Sequence, residues 1–318
     1  MRGWWQDLTD LVLPAECGGC GRARTVLCPG CRAALSGDAP CRVRPVPEPP
    51  GLPVVHAAAR YGDEVRAVLL AHKERGALAL SGPLGGALAG AARAGLREVW
   101  GSGDGASAGR GGSRVSGGPV LLVPVPSGRG AVRARGNDPV RRIALAAAGE
   151  LRRTGTPARV LCVLRQRRAV ADQSGLDSGQ RLRNLAGALT VVPGGARLLA
   201  GGPVVLVDDL MTTGASLAEA ARVVRQARAA TSGGPDRHEC PRDVALGRWD
   251  VAFGEEGVSP VYGRGSRERT GTRTAGAKGG SADRERVDPG MAEPNGAGDV
   301  IRAAVIAATP DSFEINRN

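Results

Sequence analysis

The run Val204-Val-Leu-Val-Asp-Asp-Leu-Met-Thr-Thr-Gly-Ala-Ser-Leu217 constrains this chain more than any other stretch. Four apolar, β-branched-rich residues lead straight into two carboxylates. The apolar run is too short for a helix and reads as a buried strand. A Thr-Thr-Gly turn follows. Beyond it Leu217, Ala220, Ala221 and Val224 recur with helical spacing, which predicts an amphipathic helix from Ser216 onward.

That junction suits an anion. The first N–H groups of a helix lack internal partners and carry the positive end of its dipole. Thr212, Thr213 and Ser216 add hydroxyls, and Gly214 lets the backbone take φ > 0 or approach closely. Asp208 and Asp209 stand just before the turn, placed to accept hydrogen bonds from vicinal hydroxyls. The parts fit a ribose 5-phosphate, with its phosphate on the turn and its 2′- and 3′-hydroxyls on the acids. Two other readings stay open at this point: a Mg2+ site of a nucleotidase, and a plain strand-end turn capped by an acid.

Cys17-Gly-Gly-Cys20 and Cys28-Pro-Gly-Cys31 form the spacing C-x2-C-x7-C-x2-C. Two such knuckles close a tetrahedral thiolate site that favours Zn2+. Four thiolates leave no open position, so the metal is expected to be structural. The alternative is two redox-active or simply reduced cysteine pairs. The segment 10–41 is expected to be a small zinc ribbon, and the Pro- and Arg-rich residues 42–53 a linker. Cys41 has no cysteine partner nearby. Cys162 lies in an apolar run and is expected in the core, and Cys240 is expected to be exposed.

Strands are predicted at Val54–Tyr61, Val120–Pro126 and Val160–Leu164, and helices at Asp63–Arg75, residues 77–99 and Val140–Arg153. Val65, Val68, Leu69 and His72 share one face of the first helix. Leu182, Leu185 and Leu189 mark a further short helix. Residues 101–118, mostly Gly, Ser and Arg, read as a flexible loop. Lys73 closes the Asp63–Arg75 helix. Only two of the 43 basic residues are lysine, Lys73 and Lys278, which singles Lys73 out.

The chain has 318 residues and a net charge of +12. The arginine excess, beside abundant Ala, Gly and Pro, suggests a GC-rich coding sequence. A basic surface attracts nucleic acid, yet aromatics are 3% of residues, so stacking platforms for bases are scarce. No long apolar stretch predicts a membrane span. The start, Met1-Arg-Gly-Trp-Trp-Gln-Asp7, lacks the apolar core of a signal peptide, so a cytoplasmic protein is expected.

The acidic run resembles the diphosphoribose-binding signature of type I phosphoribosyltransferases. Val123-Pro-Val-Pro126 with Ser127-Gly-Arg129 and Arg133-Ala-Arg-Gly-Asn137, then Asp172-Gln-Ser-Gly175 with Gln180-Arg-Leu-Arg-Asn-Leu-Ala-Gly187, narrow the resemblance to the ComF family, named for a bacterial competence locus. The N-terminal cysteines complete the pattern. The resemblance implies an α/β phosphoribosyltransferase fold, a mainly parallel sheet flanked by helices, over 54–227 plus 297–318. It implies that Ser127, Gly128 and Arg129 meet a diphosphate, and that Asp208, Asp209, Leu210, Met211, Thr212, Thr213, Gly214, Ala215 and Ser216 hold the ribose 5-phosphate. Lys73 would touch phosphate, the alternative being a solvated cation that suits the helix C-terminus. Residues 165–177, with Arg165, Arg167, Arg168 and Gln173, would close over the ligand or are simply a basic loop.

After Ala227 the pattern expects a turn and a last core strand. About seventy residues of Gly, Arg, Glu, Pro and Thr intervene before the apolar run Asp299–Ala307. Residues 228–296 are therefore expected to be a largely disordered insertion, which loop-closure entropy tolerates. The tail from Ser312 resembles that of actinobacterial members.

The implied activity is binding of phosphoribosyl diphosphate with Mg2+ and transfer of phosphoribosyl to a nitrogen acceptor. Asp208 and Asp209 would fix the ribose, and Arg129 would partner the departing pyrophosphate. Thr212 stands where purine-salvage relatives often carry an acid, so purine salvage is disfavoured. The alternatives are a non-catalytic binder of the same ligand, and a competence factor handling single-stranded DNA.

Overall fold

The computed structural model describes residues 16–101, 118–127, 138–168, 178–232 and 301–316. Outside them lie Gly128, Arg129, the 133–137 and 172–175 motifs, Gln173, Cys240 and nearly all of the expected 101–118 loop and 228–296 insertion.

The chain builds a six-stranded sheet in the order β1-β2-β8-β7-β3-β4. The strands are β1 (Cys41–Val43), β2 (Val54–Arg60), β3 (Val120–Pro124), β4 (Ala158–Val160), β7 (Val204–Met211) and β8 (Ile301–Ala308). β1 runs antiparallel to β2, and every other neighbour pair is parallel. A separate antiparallel pair joins β5 (Leu164–Gln166) to β6 (Leu189–Val191). The helices are α1 (Pro29–Ser36), α2 (Asp63–Lys73), α3 (Ser81–Gly101), α4 (Pro139–Arg153), α5 (Ser178–Leu185), α6 (Gly195–Leu199) and α7 (Ala215–Ser232). The result is an α/β architecture with a mostly parallel, mixed sheet flanked by helices.

Central strands of such a sheet are covered on both faces and read as unbroken apolar runs. β3 is buried throughout and β8 nearly so. Alternate residues serve opposite cores. Leu122, Val205, Val207, Ala304 and Ile306 pack with α1, α2, α3 and α4. Leu121, Val123, Val204, Leu206, Ala303 and Val305 pack with α6, α7 and the β5–β6 pair. The last apolar run, β8, lies between β2 and β7 in the middle of the sheet.

Several elements differ from the expectations. The segment expected as a linker opens inside β1, and its Arg44 N–H donates to Ser312 O at 2.9 Å. The Val160–Leu164 run is two strands rather than one. β4 ends at Val160, β5 starts at Leu164, and the residues between them cross from one sheet to the other. Cys162 falls in that crossing and is exposed, not in the core. Leu189 belongs to β6, not to the short helix, because α5 stops at Leu185 and Gly187 at φ +68° turns the chain out of helical geometry. α7 continues to Ser232, so residues 228–232 are helical and not part of an insertion. No helix among the described residues is long and apolar enough to cross a membrane.

Candidate functional site

β7 does not end before its acids. Asp208, Leu210 and Met211 pair with Val305, Ala307 and Ala308 of β8, so the strand runs through both carboxylates. Adjacent strand residues point to opposite faces. Asp209 follows Val205 and Val207 toward α2, where its Oδ2 accepts a hydrogen bond from Lys73 Nζ at 2.8 Å. The Asp209 side chain is 8% exposed and that of Lys73 37%. Asp208 follows Val204 and Leu206 to the other side. There it lines a small open hollow together with Leu210, Met211, Thr212, Thr213, Gly214, Ala215, Ser216 and Leu217.

The structure therefore separates two acids that the sequence reading placed side by side as hydroxyl acceptors. Asp208 shares a hollow with the Thr212–Ser216 turn, and Asp209 is engaged by a lysine behind it. The Asp209 N–H also donates to Asp208 Oδ1 at 2.9 Å. Burial, followed by the negative charge of Asp209, pushes the Asp208 carboxyl well above the usual carboxylate range, and Lys73 only partly opposes this.

The turn is built as the sequence suggests. Gly214 has φ +72°, and Ala218 N–H donates to Gly214 O at 2.9 Å as an early helical bond of α7. The N–H groups of Ser216 and Leu217 lie ahead of that bond, among those a helix leaves without an internal acceptor. A Cβ on Gly214 would sit 3.1 Å from Leu52 Cδ1 and 3.3 Å from Pro45 Cγ. Pro45 and Leu52 belong to the segment expected as a linker, which instead braces the turn. Gly214→Ala is expected to cost about 1–2 kcal/mol from the left-handed backbone alone. That corresponds to a loss of roughly 2–4 °C in melting temperature per kcal/mol for a domain of this size. An unchanged melting curve would show that the turn relaxes freely.

Ser127 lies just past β3, the parallel neighbour of β7, at the same carboxyl edge of the sheet. Its Oγ donates to Asp138 Oδ1 at 3.3 Å. Asp138 was not foreseen. It caps α4, accepting the N–H groups of Val140 at 3.1 Å and Arg141 at 3.3 Å. The signal was available, because an Asp followed by Pro139 is a standard opening of a helix. His72 was read only as a core position. It is buried, and its Nε2 meets Ser81 Oγ at 3.1 Å. Ser81 Oγ donates to Leu78 O, so His72 Nε2 carries the proton in this pair. Burial holds the His72 pKa down despite the nearby Asp209 charge, which keeps the imidazole neutral beside the Lys73–Asp209 pair.

The second cluster is cysteinyl. The Sγ atoms of Cys17, Cys20, Cys28 and Cys31 all lie within 4.8 Å of one another. Cys20 and Cys28 are 3.6 Å apart. A tetrahedral ion with metal–sulfur bonds of about 2.3 Å requires sulfurs roughly 3.8 Å apart, so the cage has the size of a zinc site. Backbone amides face the sulfurs: Cys28 N–H donates to Cys17 Sγ at 3.3 Å and Cys31 N–H to Cys28 Sγ at 3.4 Å. Burial opposes ionisation of Cys17, but amides of Cys28, Cys20 and Gly19 outweigh it and bring this thiol down to about 6. Burial and the neighbouring sulfurs push Cys31 the other way. Four thiolates crowded together need a cation, and the donor set and spacing fit zinc.

No family model matches the chain, and no curated protein matches its sequence.

Proposed function

We propose that the chain binds phosphoribosyl diphosphate in the manner of the ComF-type phosphoribosyltransferases it resembles. The supporting observation is that Asp208, three hydroxyl residues and the N-terminus of an 18-residue helix open into one hollow at the carboxyl edge of a mostly parallel sheet. The 5-phosphate sits on Thr212, Thr213 and Ser216 and on the helix N–H groups. Asp208 meets a ribose hydroxyl. Asp209 holds Lys73 against the back of the strand. The diphosphate extends toward Ser127, with Mg2+ as its counter-ion.

The same reading assigns structural zinc to Cys17, Cys20, Cys28 and Cys31. It also allows transfer of the phosphoribosyl group to a nitrogen acceptor. The protein would then contribute placement and charge stabilisation for the leaving pyrophosphate.

Calorimetry with phosphoribosyl diphosphate and Mg2+ tests the proposal. Asp208 alone faces the ligand, and leaving a hydroxyl without its acceptor costs roughly 1–3 kcal/mol. Replacing Asp208 and Asp209 together by alanine is therefore expected to weaken binding about five- to 150-fold. Unchanged affinity in a folded variant rejects the site. The net charge of +12 favours one competing reading, a binder of single-stranded DNA. A parallel titration distinguishes it: DNA affinity that falls steeply with salt and ignores both aspartates supports that reading instead.

A further inference from the structure

We infer that the four-cysteine cluster controls ligand affinity at the β7 turn, because it is the support that holds α2, and with it Lys73, against the sheet. This rests on the zinc and sugar-phosphate readings above. It goes beyond them by joining two sites that the sequence presents as separate modules.

The cluster is not a tethered appendage. Cys17, Leu27, Cys28, Cys31 and Leu35 share one continuous apolar core with Val65, Val68, Leu69 and Ala71 of α2 and with Leu80 and Leu84 beyond it. The first knuckle is pressed into that core. A Cβ on Gly19 would lie 2.6 Å from Cys31 Sγ and 3.2 Å from Val68 Cγ2, so the knuckle backbone is wedged between a thiol and α2. A Cβ on Gly18 would lie 2.7 Å from Leu80 Cδ1. Arg75, just beyond α2, reaches back to Gly18 O at 3.5 Å and Ala67 O at 3.4 Å.

α2 depends on this support. It has 11 residues, and its N-cap, Gly62, makes no side-chain hydrogen bond. A helix that short is marginal in water without tertiary packing. Val68, wholly buried, stands five residues before Lys73, about 7.5 Å along the helix axis. Lys73 ends α2 and donates to Asp209. If α2 loosens, the strand end keeps two adjacent carboxylates and loses their cation. An anionic ligand then meets more negative charge, and the strand that carries the turn loses its rear contact. The line from metal to ligand thus runs through Gly19, Val68, Lys73 and Asp209, all within the described residues.

Three preparations of the full chain test this: zinc-loaded wild type, wild type stripped with a chelator that is then removed, and Val68→Ala with zinc content verified by metal analysis. Phosphoribosyl diphosphate with Mg2+ is titrated into each, and amide hydrogen exchange is read over residues 63–73 without ligand. Couplings between sites in proteins typically amount to about five- to 150-fold in affinity. A loss in that range is expected both on stripping and in Val68→Ala, with protection in α2 falling by more than protection in β3 and β8. Equal affinity and equal α2 protection in all three overturns the coupling while leaving the ligand assignment intact. If the stripped chain unfolds altogether, the zinc-bound Val68→Ala variant decides, and wild-type affinity there overturns the inference. A zinc-loaded wild type that binds no phosphoribosyl diphosphate overturns the sugar-phosphate reading, and the coupling with it.

Discussion

Replacing Cys17 and Cys20 by serine is expected to take bound zinc from about one ion per chain to none and to lower the melting temperature by at least about 10 °C. Zinc binding to small folded modules is worth roughly 10–16 kcal/mol near neutral pH, and that free energy is folding free energy. A few kcal/mol of it suffices for the shift, at about 2–4 °C per kcal/mol in a domain of this size. Here the loss does not stay local, because the cysteines share a core with α2 and α3. A tethered ribbon would melt alone and leave the main transition in place. Two controls sharpen the result. Cys41 lies outside the four-sulfur cage, and Cys162 is exposed on the crossing between the two sheets. Serine at either position is expected to leave zinc content unchanged. Wild-type protein without zinc, or a double variant that melts like wild type, would falsify the assignment.

The parts of the fold that were legible are those where burial on both faces dictates composition. The apolar residues before Asp208 and the run ending at Ala307 read as strands because central strands of a parallel sheet have no polar face. β8 is recognisable despite its distance in sequence from α7, since its apolar run is a property of its place between β2 and β7 and not of its neighbours in sequence. What escaped were outcomes set by distant partners. The apolar run before the acids reads as the strand, and since Asp disfavours strands nothing local shows how far it continues. Pairing of Asp208 with Val305 and of Leu210 with Ala307 carries it on, and the two carboxylates consequently face opposite ways. β1 is only three residues in a Pro- and Arg-rich stretch and exists because β2 offers it an edge. The four cysteines were legible by spacing alone, but their burial against α2 was not. Lys73 stood out as a lysine in an arginine-rich chain. Its partner, 136 residues away, is a fact of topology that no local pattern encodes.

The opposed orientation of the two acids leads to an unusual pair of expectations: Asp208→Asn should stabilise the ligand-free chain near neutral pH, and Asp209→Asn should destabilise it. The Asp208 carboxyl is held above its ordinary range, mainly by burial and then by the adjacent Asp209 charge. The native state thus keeps a proton on Asp208 at pH values where the unfolded chain has released it. Stability falls as pH rises from the ordinary carboxylate value through the raised native one. Asparagine carries no such liability. The gain in melting temperature for Asp208→Asn should be present at neutral pH and shrink as the pH is lowered toward 4. Ligand affinity should fall in the same variant, the usual trade between a strained site and a stable one. Asp209→Asn acts through a different contact. It removes the ionic hydrogen bond from Lys73, worth about 1.5–3 kcal/mol. The loss should fall short of the roughly 3–5 kcal/mol of a fully buried pair, because the Lys73 side chain is 37% exposed. Relief of the charge on Asp208 offsets part of it. Thermal melts of the two variants from pH 4 to pH 8 decide the matter. Shifts of the same sign at neutral pH would mean that both carboxylates serve one structural role, and the division of labour between the front and back of β7 would have to be abandoned.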